Sequence, residues 1–342
     1  VTSATARQVR RAAVRLDYSP NGAAQSLSTR HARALGVLLP DLHGEFFSEA
    51  IRGIDHAVRA ERFQVLLSSS HADAREMIAV ARSLTGRIDG LIVMAPDAGS
   101  ARVIEDIARY FPVVLLNPGV RAKSCCAVSI ANSDGAEAIV RHLIELGHER
   151  IAIVRGPAGN VDAKERLRGY RRAIREAGLR APRAFEIPGD FTQRSGHESA
   201  AMLLGLRPRP TAVFASNDYM AIGLMSALSE AGLRVPEDLA VTGFDDIPLA
   251  QYMRPPLTTV RANAYELGER AVRMWFDSAR ARIARKAPRH EILPTTLVVR
   301  SSCGAGNGAG LHPVAEPVIG EGDPPEGSRN RLRHGRRRPL GG

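Results

Sequence analysis

The sequence is poor in cysteine and in aromatic residues: three Cys, one Trp and 5% aromatic side chains in 342 residues. Cys125 and Cys126 are adjacent and Cys303 is remote, which makes neither a metal-ligand spacing nor a Cys-x-x-Cys pair. So few thiols, odd in number, exclude a disulfide scaffold and suit a reducing compartment, so a cytoplasmic location is expected. No apolar run approaches the ~20 residues that a membrane-spanning helix needs. The first residues are polar and basic, without the apolar stretch of a signal peptide. Catalytic motifs are missing as well: there is no Gly-x-Ser-x-Gly elbow, no Walker loop and no His-Glu-x-x-His. The stretch Gly304-Ala305-Gly306-Asn307-Gly308-Ala309 has the spacing of a dinucleotide turn, but no helical pattern follows it. Neither enzymatic activity, nor a cofactor, nor a metal is expected.

What is present is an ordinary globular composition, 44% hydrophobic and 24% charged, in a chain long enough for two or three domains. Lys and Arg exceed Asp and Glu by 47 to 36, a net charge of +11, which favours a polyanionic partner, with nucleic acid the first candidate. Much of that excess sits near the end of the chain, at Arg329, Arg331, Arg333, Arg336, Arg337 and Arg338. Residues 304–342 are rich in Gly, Pro and Arg without apolar periodicity and read as a disordered tail.

Residues 5–16 read as a basic amphipathic helix, with Val9, Ala12, Ala13 and Leu16 on one face and Thr2 or Ser3 as its cap. The stretch Tyr18 to Arg30 follows, a turn at Pro20 and Asn21 and then a short helical pattern. Taken alone, it is either an interdomain linker or a helix that forms only against a partner. From Ala34 onward, short apolar strands alternate with amphipathic helices. Strands are expected at 34–39, 63–68, 89–94, 112–117 and 126–130, with helices at 47–61, 74–86 and 100–110 between them. The pattern then restarts, with helices at 132–146, 164–178, 193–205 and 218–231 and strands at 150–155, 183–187, 211–215 and 239–243. A long helix to about residue 284 and a strand at 292–299 close the body. The fold class is therefore α/β: two doubly wound parallel sheets in tandem, two lobes with a cleft between them.

Ligands of open α/β sheets sit beyond the carboxyl ends of the strands. That rule selects Pro40-Asp41, Phe46-Phe47, Ser68 to His71, Pro96-Asp97 and Asn117 in the first half. In the second half it selects Gly156-Pro157, Phe191, Asn217-Asp218 and Asp245-Asp246. Such a set suits a small polar ring, because aromatic faces pack on its apolar side, Asp accepts from neighbouring hydroxyls and Arg donates a planar fork. Asn217 and Asp218 fit equally well as the cap of the helix at 218–231. One of Phe46 and Phe47 is expected in the core, and His71 in solvent.

The run Tyr-x-Pro-Asn-x-x-Ala-x-Ser-Leu at 18–27, a basic residue after it and then Ala34-Leu35-Gly36-Val37-Leu38-Leu39-Pro40-Asp41 resemble the hinge of the LacI/GalR family of bacterial repressors. Arg166-Leu167-x-Gly169-Tyr170, Ser216-Asn217-Asp218, Gly243-Phe244-Asp245-Asp246 and Pro256-Leu257-Thr258-Thr259-Val260 are similar to landmarks of that family's periplasmic-binding-protein-like effector domain. The resemblance runs over roughly residues 1–303.

The resemblance implies a remnant third helix of a DNA-binding headpiece at 1–19 and a hinge helix with linker at 20–33. It places one effector lobe at 34–131 plus 260–288 and the other at 132–259 plus 289–303. It implies a homodimer on a palindromic operator, with Leu27 wedged into the minor groove and Asn21, Ala24, Ser28 and Arg30 beside it. The effector, expected to be a carbohydrate, is assigned to Phe46, Phe47, Asp97, Arg166, Phe191, Asn217 and Asp245. The implied function is ligand-responsive repression of transcription by allostery, with no membrane partner.

Four departures stand out. The helix-turn-helix that reads the major groove is missing ahead of residue 1, through a misplaced start, a trimmed chain or a true loss. Without it, the rival functions are a stand-alone sugar-binding protein and a decoy that pairs with intact regulators. Asp17 stands where the family has Gly at the end of the third helix. Gly44 and Glu45 replace the Asn-Pro of the usual Asn-Pro-Phe-Phe, and Ala262 stands where many relatives have Gln.

Overall fold

A computed structural model describes residues 2–17, 31–42, 44–71, 73–95, 101–119, 124–180, 182–283, 287–305 and 311–313. The hinge residues Asn21, Ala24, Leu27, Ser28 and Arg30, and Asp97 of the first lobe, lie outside them. Helix α1 spans Ser3–Arg15, with the Thr2 hydroxyl accepting from the Thr5 N–H at its start. Its apolar residues Val9, Val14 and Leu16 are exposed. Asp17 follows at φ +48°, the left-handed conformation that favours glycine.

The first lobe is a six-stranded sheet. Its strands are β1 (Ala34–Leu39), β2 (Gln64–Ser69), β3 (Gly90–Met94), β4 (Val113–Leu116), β5 (Cys126–Ile130) and β11 (His290–Leu293), in the order β11-β5-β4-β3-β1-β2. Every pairing is parallel. β1, β3 and β4 are buried at every residue, as strands covered on both faces must be, and are correspondingly apolar throughout. Helices α2 (Glu45–Ala60), α3 (Ala74–Ser83), α4 (Ala101–Ile107) and α9 (Ala264–Ile283) return the chain and cover the faces. α2 and α9 approach backbone to backbone: a Cβ on Gly53 would lie 2.0 Å from the Tyr265 carbonyl oxygen, and one on Gly268 2.2 Å from that of Ala50.

The second lobe repeats the plan with four parallel strands, β6 (Ile151–Val154), β7 (Glu186–Ile187), β8 (Ala212–Ala215) and β9 (Ala240–Thr242), ordered β7-β6-β8-β9. Helices α5 (Asn132–Glu145), α6 (Val161–Glu176), α7 (Gln193–Gly205) and α8 (Asp218–Glu230) flank it, α5 against α6 and α7 against α8. The body is thus the two-lobed α/β fold that the alternating pattern predicts. The expected strand at 183–187 opens as a 3-10 turn, Arg183–Phe185.

Two expectations change. The strand at 292–299 is two strands, because Pro294 has no N–H to continue a ladder. His290–Leu293 joins the first sheet beside β5, while β12 (Thr296–Val298) pairs antiparallel with β10 (Thr259–Arg261). The stretch 289–303 is therefore shared between the lobes rather than confined to the second. Within the stretch expected to be disordered, Leu311–Pro313 forms β13 on the open edge of β12, completing a small third sheet.

The chain passes between lobes near Ala131, near Asn263 and at Pro294-Thr295. No helix among the described residues is long and apolar enough to cross a membrane.

Candidate effector site

The carboxyl ends of both sheets face a cleft of about 800 Å³. The first lobe contributes Pro40 and Asp41 after β1, Phe46 and Phe47 in the first turn of α2, His71 after β2, and Met94 at the end of β3. The two Phe rings meet edge to face at 5.7 Å, and both are half-buried, so neither is a core residue alone. His71 also lines the cleft, with its ring 2.8 Å from the Glu76 carboxylate.

Arg166 lies at the centre, projecting from α6, and only 4% of it is exposed. Its Nε donates to Asn132 Oδ1 at 2.8 Å and its Nη1 to the Ser216 carbonyl at 2.6 Å. Nη2 stands 3.0 Å from Asp245 Oδ1. That buried oxygen takes no well-aligned hydrogen bond from the described residues, so the contact is a charge pair. The guanidinium carbon lies 3.8 Å from the centroid of the Phe244 ring, a cation–π contact that burial strengthens.

Asp162 is one turn before Arg166. It accepts from Asn132 Nδ2 at 2.9 Å and from Asn117 Nδ2 at 3.4 Å. Burial pushes both Asp162 and Asp245 up to about 6, against the opposing pull of Arg166. The centre therefore holds one cation, whose donors are largely committed to the protein, between two carboxylates that lack full compensation. A neutral ligand that donates hydrogen bonds fits that balance, and an anion does not.

Asn217 fills both roles open to it. It lines the cleft, and its Oδ1 accepts from the Met220 N–H at 3.0 Å, capping α8. Its amide donates to the Phe191 carbonyl at 3.0 Å. Phe191 is at φ +72°, a strained position for an aromatic residue. Its ring occupies the space beside Gly156, where a Cβ would come within 2.3 Å of it.

The two residues of each polar pair point to different tasks. Asp245 and Asn217 line the cleft, while their neighbours hold the scaffold. Asp218 accepts from the Ile247 N–H at 2.9 Å and the Thr259 hydroxyl at 2.5 Å, and burial raises its pKa well above the ordinary carboxylate range. Asp246 binds Arg261 at 2.8 Å and Arg300 at 2.6 Å.

The structure thus brings Phe46, Phe47, Arg166, Phe191, Asn217 and Asp245 to one cleft. Glu45 and Ala262 do not line it; Ala262 is buried. Residues the sequence reading missed are Asn132, which binds Arg166, and Asp162 and Tyr219 of the lining. The spacing of Asp162 and Arg166, four apart on one helix face, was the available signal for the first carboxylate. Among the described residues no cluster of His, Cys, Asp and Glu is arranged to hold a metal ion.

Residues 140–303 match the profile of a periplasmic binding protein-like domain. The ribose operon repressor of Escherichia coli (strain K12) is 34% identical over 274 residues, 80% of this chain and 83% of that protein. The chain belongs to the LacI family of transcriptional regulators. Solved LacI-family structures share its fold. The lac repressor dimer bound to operator and the anti-inducer ONPF superimposes with a TM-score of 0.80 at 29% identity, covering 89% of this chain and 91% of that one. The complex of the transcriptional regulator CelR with cellobiose gives 0.73 at 30% identity, covering 88% and 91%. These LacI-family relatives are transcriptional regulators rather than enzymes, in line with the missing catalytic motifs.

Proposed function

We propose that this LacI-family chain is a ligand-responsive repressor that binds a palindromic operator as a homodimer in the cytoplasm. A small neutral polyol, most readily a sugar, enters the cleft and changes that affinity. The observation that carries the reading is Arg166, buried with its donors committed, between the carboxylates of Asp162 and Asp245. Hydroxyl groups on a ligand donate to those carboxylates, while the faces of Phe46, Phe47 and Phe191 cover the apolar side of a ring. The regulators named above, a ribose operon repressor and a cellobiose complex among them, support a carbohydrate.

The mechanism is a population shift. Ligand favours one arrangement of the lobes, and the first lobe, which follows the hinge in sequence, carries that choice toward the DNA. In this reading Leu27 is the minor-groove wedge, with Asn21, Ala24, Ser28 and Arg30 contacting the duplex around it, and Asp97 belongs to the effector set.

Titration calorimetry with ribose, galactose and cellobiose tests the ligand class, and selection from a random duplex pool followed by binding assays tests the operator. Sugar binding in the cleft and a sugar-dependent operator affinity are expected. Binding of anionic metabolites with no response to any neutral polyol overturns the ligand class. Leu27→Ala is expected to weaken operator binding and leave sugar binding unchanged. If operator binding is undiminished, Leu27 is not the wedge; if it is absent from the start, the chain is instead a sugar receptor or a partner of intact regulators.

A further inference from the structure

Tyr219 is the second residue of α8 in the second lobe, yet its hydroxyl reaches the first. It accepts the backbone N–H of Glu45, the first residue of α2, at 3.0 Å across 174 positions of sequence. That N–H is one of the donors that every helix leaves unsatisfied at its start. The α2 N-cap, Gly44, supplies no side chain to satisfy it and sits at φ +107°, where an L-residue is strained. The Tyr219 ring packs beside Gly44: a Cβ there would lie 3.4 Å from Tyr219 Cε2. The cap of a first-lobe helix is thus provided by the second lobe.

Two further facts give this contact a role. α2 carries Phe46 and Phe47, so Tyr219 holds the helix that presents the aromatic wall of the first lobe. Its neighbour Asn217 holds the carbonyl of Phe191, the aromatic wall of the second lobe. The start of α8 therefore fixes both walls. The hydroxyl also accepts from Glu45 without using its own proton, and no acceptor for that proton is found among the described residues. Tyr219 lines the cleft, so the proton is available to a ligand.

The donor exists because residue 45 is not proline. In the Asn-Pro-Phe-Phe pattern from which this chain departs, the same position is Pro, which has no N–H.

We propose that Tyr219 and the Glu45 N–H form a strap between the lobes that holds the two aromatic walls of the cleft at a fixed gap before ligand arrives. Tyr219 is a positioning residue in this role, and its free proton makes it a ligand contact as well. Only the ligand part of the proposal rests on the cleft being the effector site; the strap does not.

The test uses the full chain and two variants that remove one partner each. Tyr219→Phe keeps the ring and loses the acceptor. Glu45→Pro removes the donor at a helix position that tolerates proline, after a residue whose ψ of 148° suits one. Glu45→Ala is the control: it loses the carboxylate and keeps the N–H. Dyes on exposed Glu61 and Ala231, one per lobe, report the ligand-free inter-lobe distance by energy transfer.

Tyr219→Phe and Glu45→Pro are each expected to lengthen that distance, the double variant no further than the larger single, and Glu45→Ala not at all. Hydrogen exchange at the residue 45 amide is expected to quicken in Tyr219→Phe. An unchanged distance in either single variant, additive shifts in the double, or a Glu45→Ala shift equal to that of Glu45→Pro overturns the strap. These readouts need no ligand, so they stand even if the carbohydrate reading fails. Where ribose or cellobiose binds, both single variants are expected to weaken it by about 2- to 10-fold, the range of one net hydrogen bond, with the larger loss in Tyr219→Phe. An equal affinity in Tyr219→Phe overturns its role toward ligand.

Discussion

The two walls of the cleft are built differently. The second lobe supplies the fixed polar centre: Arg166, Asp162, Asp245 and Asn217 are buried or bound to one another and to the ends of their own helices. Among the described residues, the first lobe supplies mainly surfaces, with Phe46, Phe47, Pro40 and Met94 beside Asp41 and His71. The polar wall orients a ligand through fixed groups, and the apolar faces of the other wall gain by covering its ring. Under the proposed function, the difference teaches that recognition and response are divided: the polar lobe selects, and the apolar lobe, next to the hinge in sequence, passes the choice on.

The strongest way to break that division is Arg166→Leu. It leaves Asp162 and Asp245 buried without their cation, for a loss of about 3–5 kcal/mol of stability at pH 7 in urea unfolding. Because each carboxyl group can take up a proton instead, the loss is expected to shrink at pH 5. A loss independent of pH would mean that the two carboxylates are not the groups Arg166 compensates.

Asp245→Asn comes next. Asp245 sits at φ +115°, and Asn tolerates positive φ better than most residues, so the fold is expected to survive while ligand affinity falls by about 10- to 100-fold, the weight of one charged hydrogen bond. Calorimetry that finds the affinity unchanged would move recognition away from the polar lobe.

The pH dependence sharpens the comparison further. Asp162 and Asp245 titrate near 6 in the folded chain against an ordinary 3.8, so between about pH 4 and 6 the folded state binds more protons than the unfolded state. The stability of the ligand-free protein is therefore expected to fall as pH rises through that window. A hydroxyl ligand favours the charged carboxylates, so its affinity is expected to rise through the same window with release of protons. Calorimetry at pH 6 in buffers of different ionisation enthalpy measures that release, and proton uptake would contradict the assignment.

Smaller effects belong to the apolar wall and the rim. Phe46→Ala is expected to weaken ligand by about 3- to 10-fold, as for one aromatic contact. Arg194→Ala, which removes an exposed pair with Glu198, is expected to change affinity by less than about twofold.

Much of the fold is legible in the sequence because strands buried on both faces are apolar runs, and runs such as 34–39 and 90–94 have nowhere else to go. The division at Pro294 escaped the single strand expected at 292–299, although a residue that cannot donate to a ladder was there to mark it. The strand at 311–313 was not, because three residues in a Gly- and Pro-rich stretch carry no periodicity. At the site, Arg166 and Asp245 were reached through their motifs, and Asp162 was within reach through its spacing from Arg166. Tyr219 was not: its partner is a backbone N–H 174 positions away, and a backbone group has no letter in the sequence. The pairing of Asn217 with Phe191 was hidden for the same reason, since its acceptor is a carbonyl.

The passage of the chain back into the first lobe has a consequence for biosynthesis. The second-lobe sheet is drawn from one continuous stretch, 151–242, whereas the first-lobe sheet waits for β11 at 290–293 and its cover waits for α9. On the ribosome, the lobe begun first is therefore the lobe finished last. The edge of β5 that β11 will occupy stays open while some 160 further residues are made, as Ile130 and His290 are the residues that bound the gap. A chain that ends near residue 250 holds every strand of the second sheet but lacks β11, and exposes a bare strand edge of the kind that invites pairing with other chains.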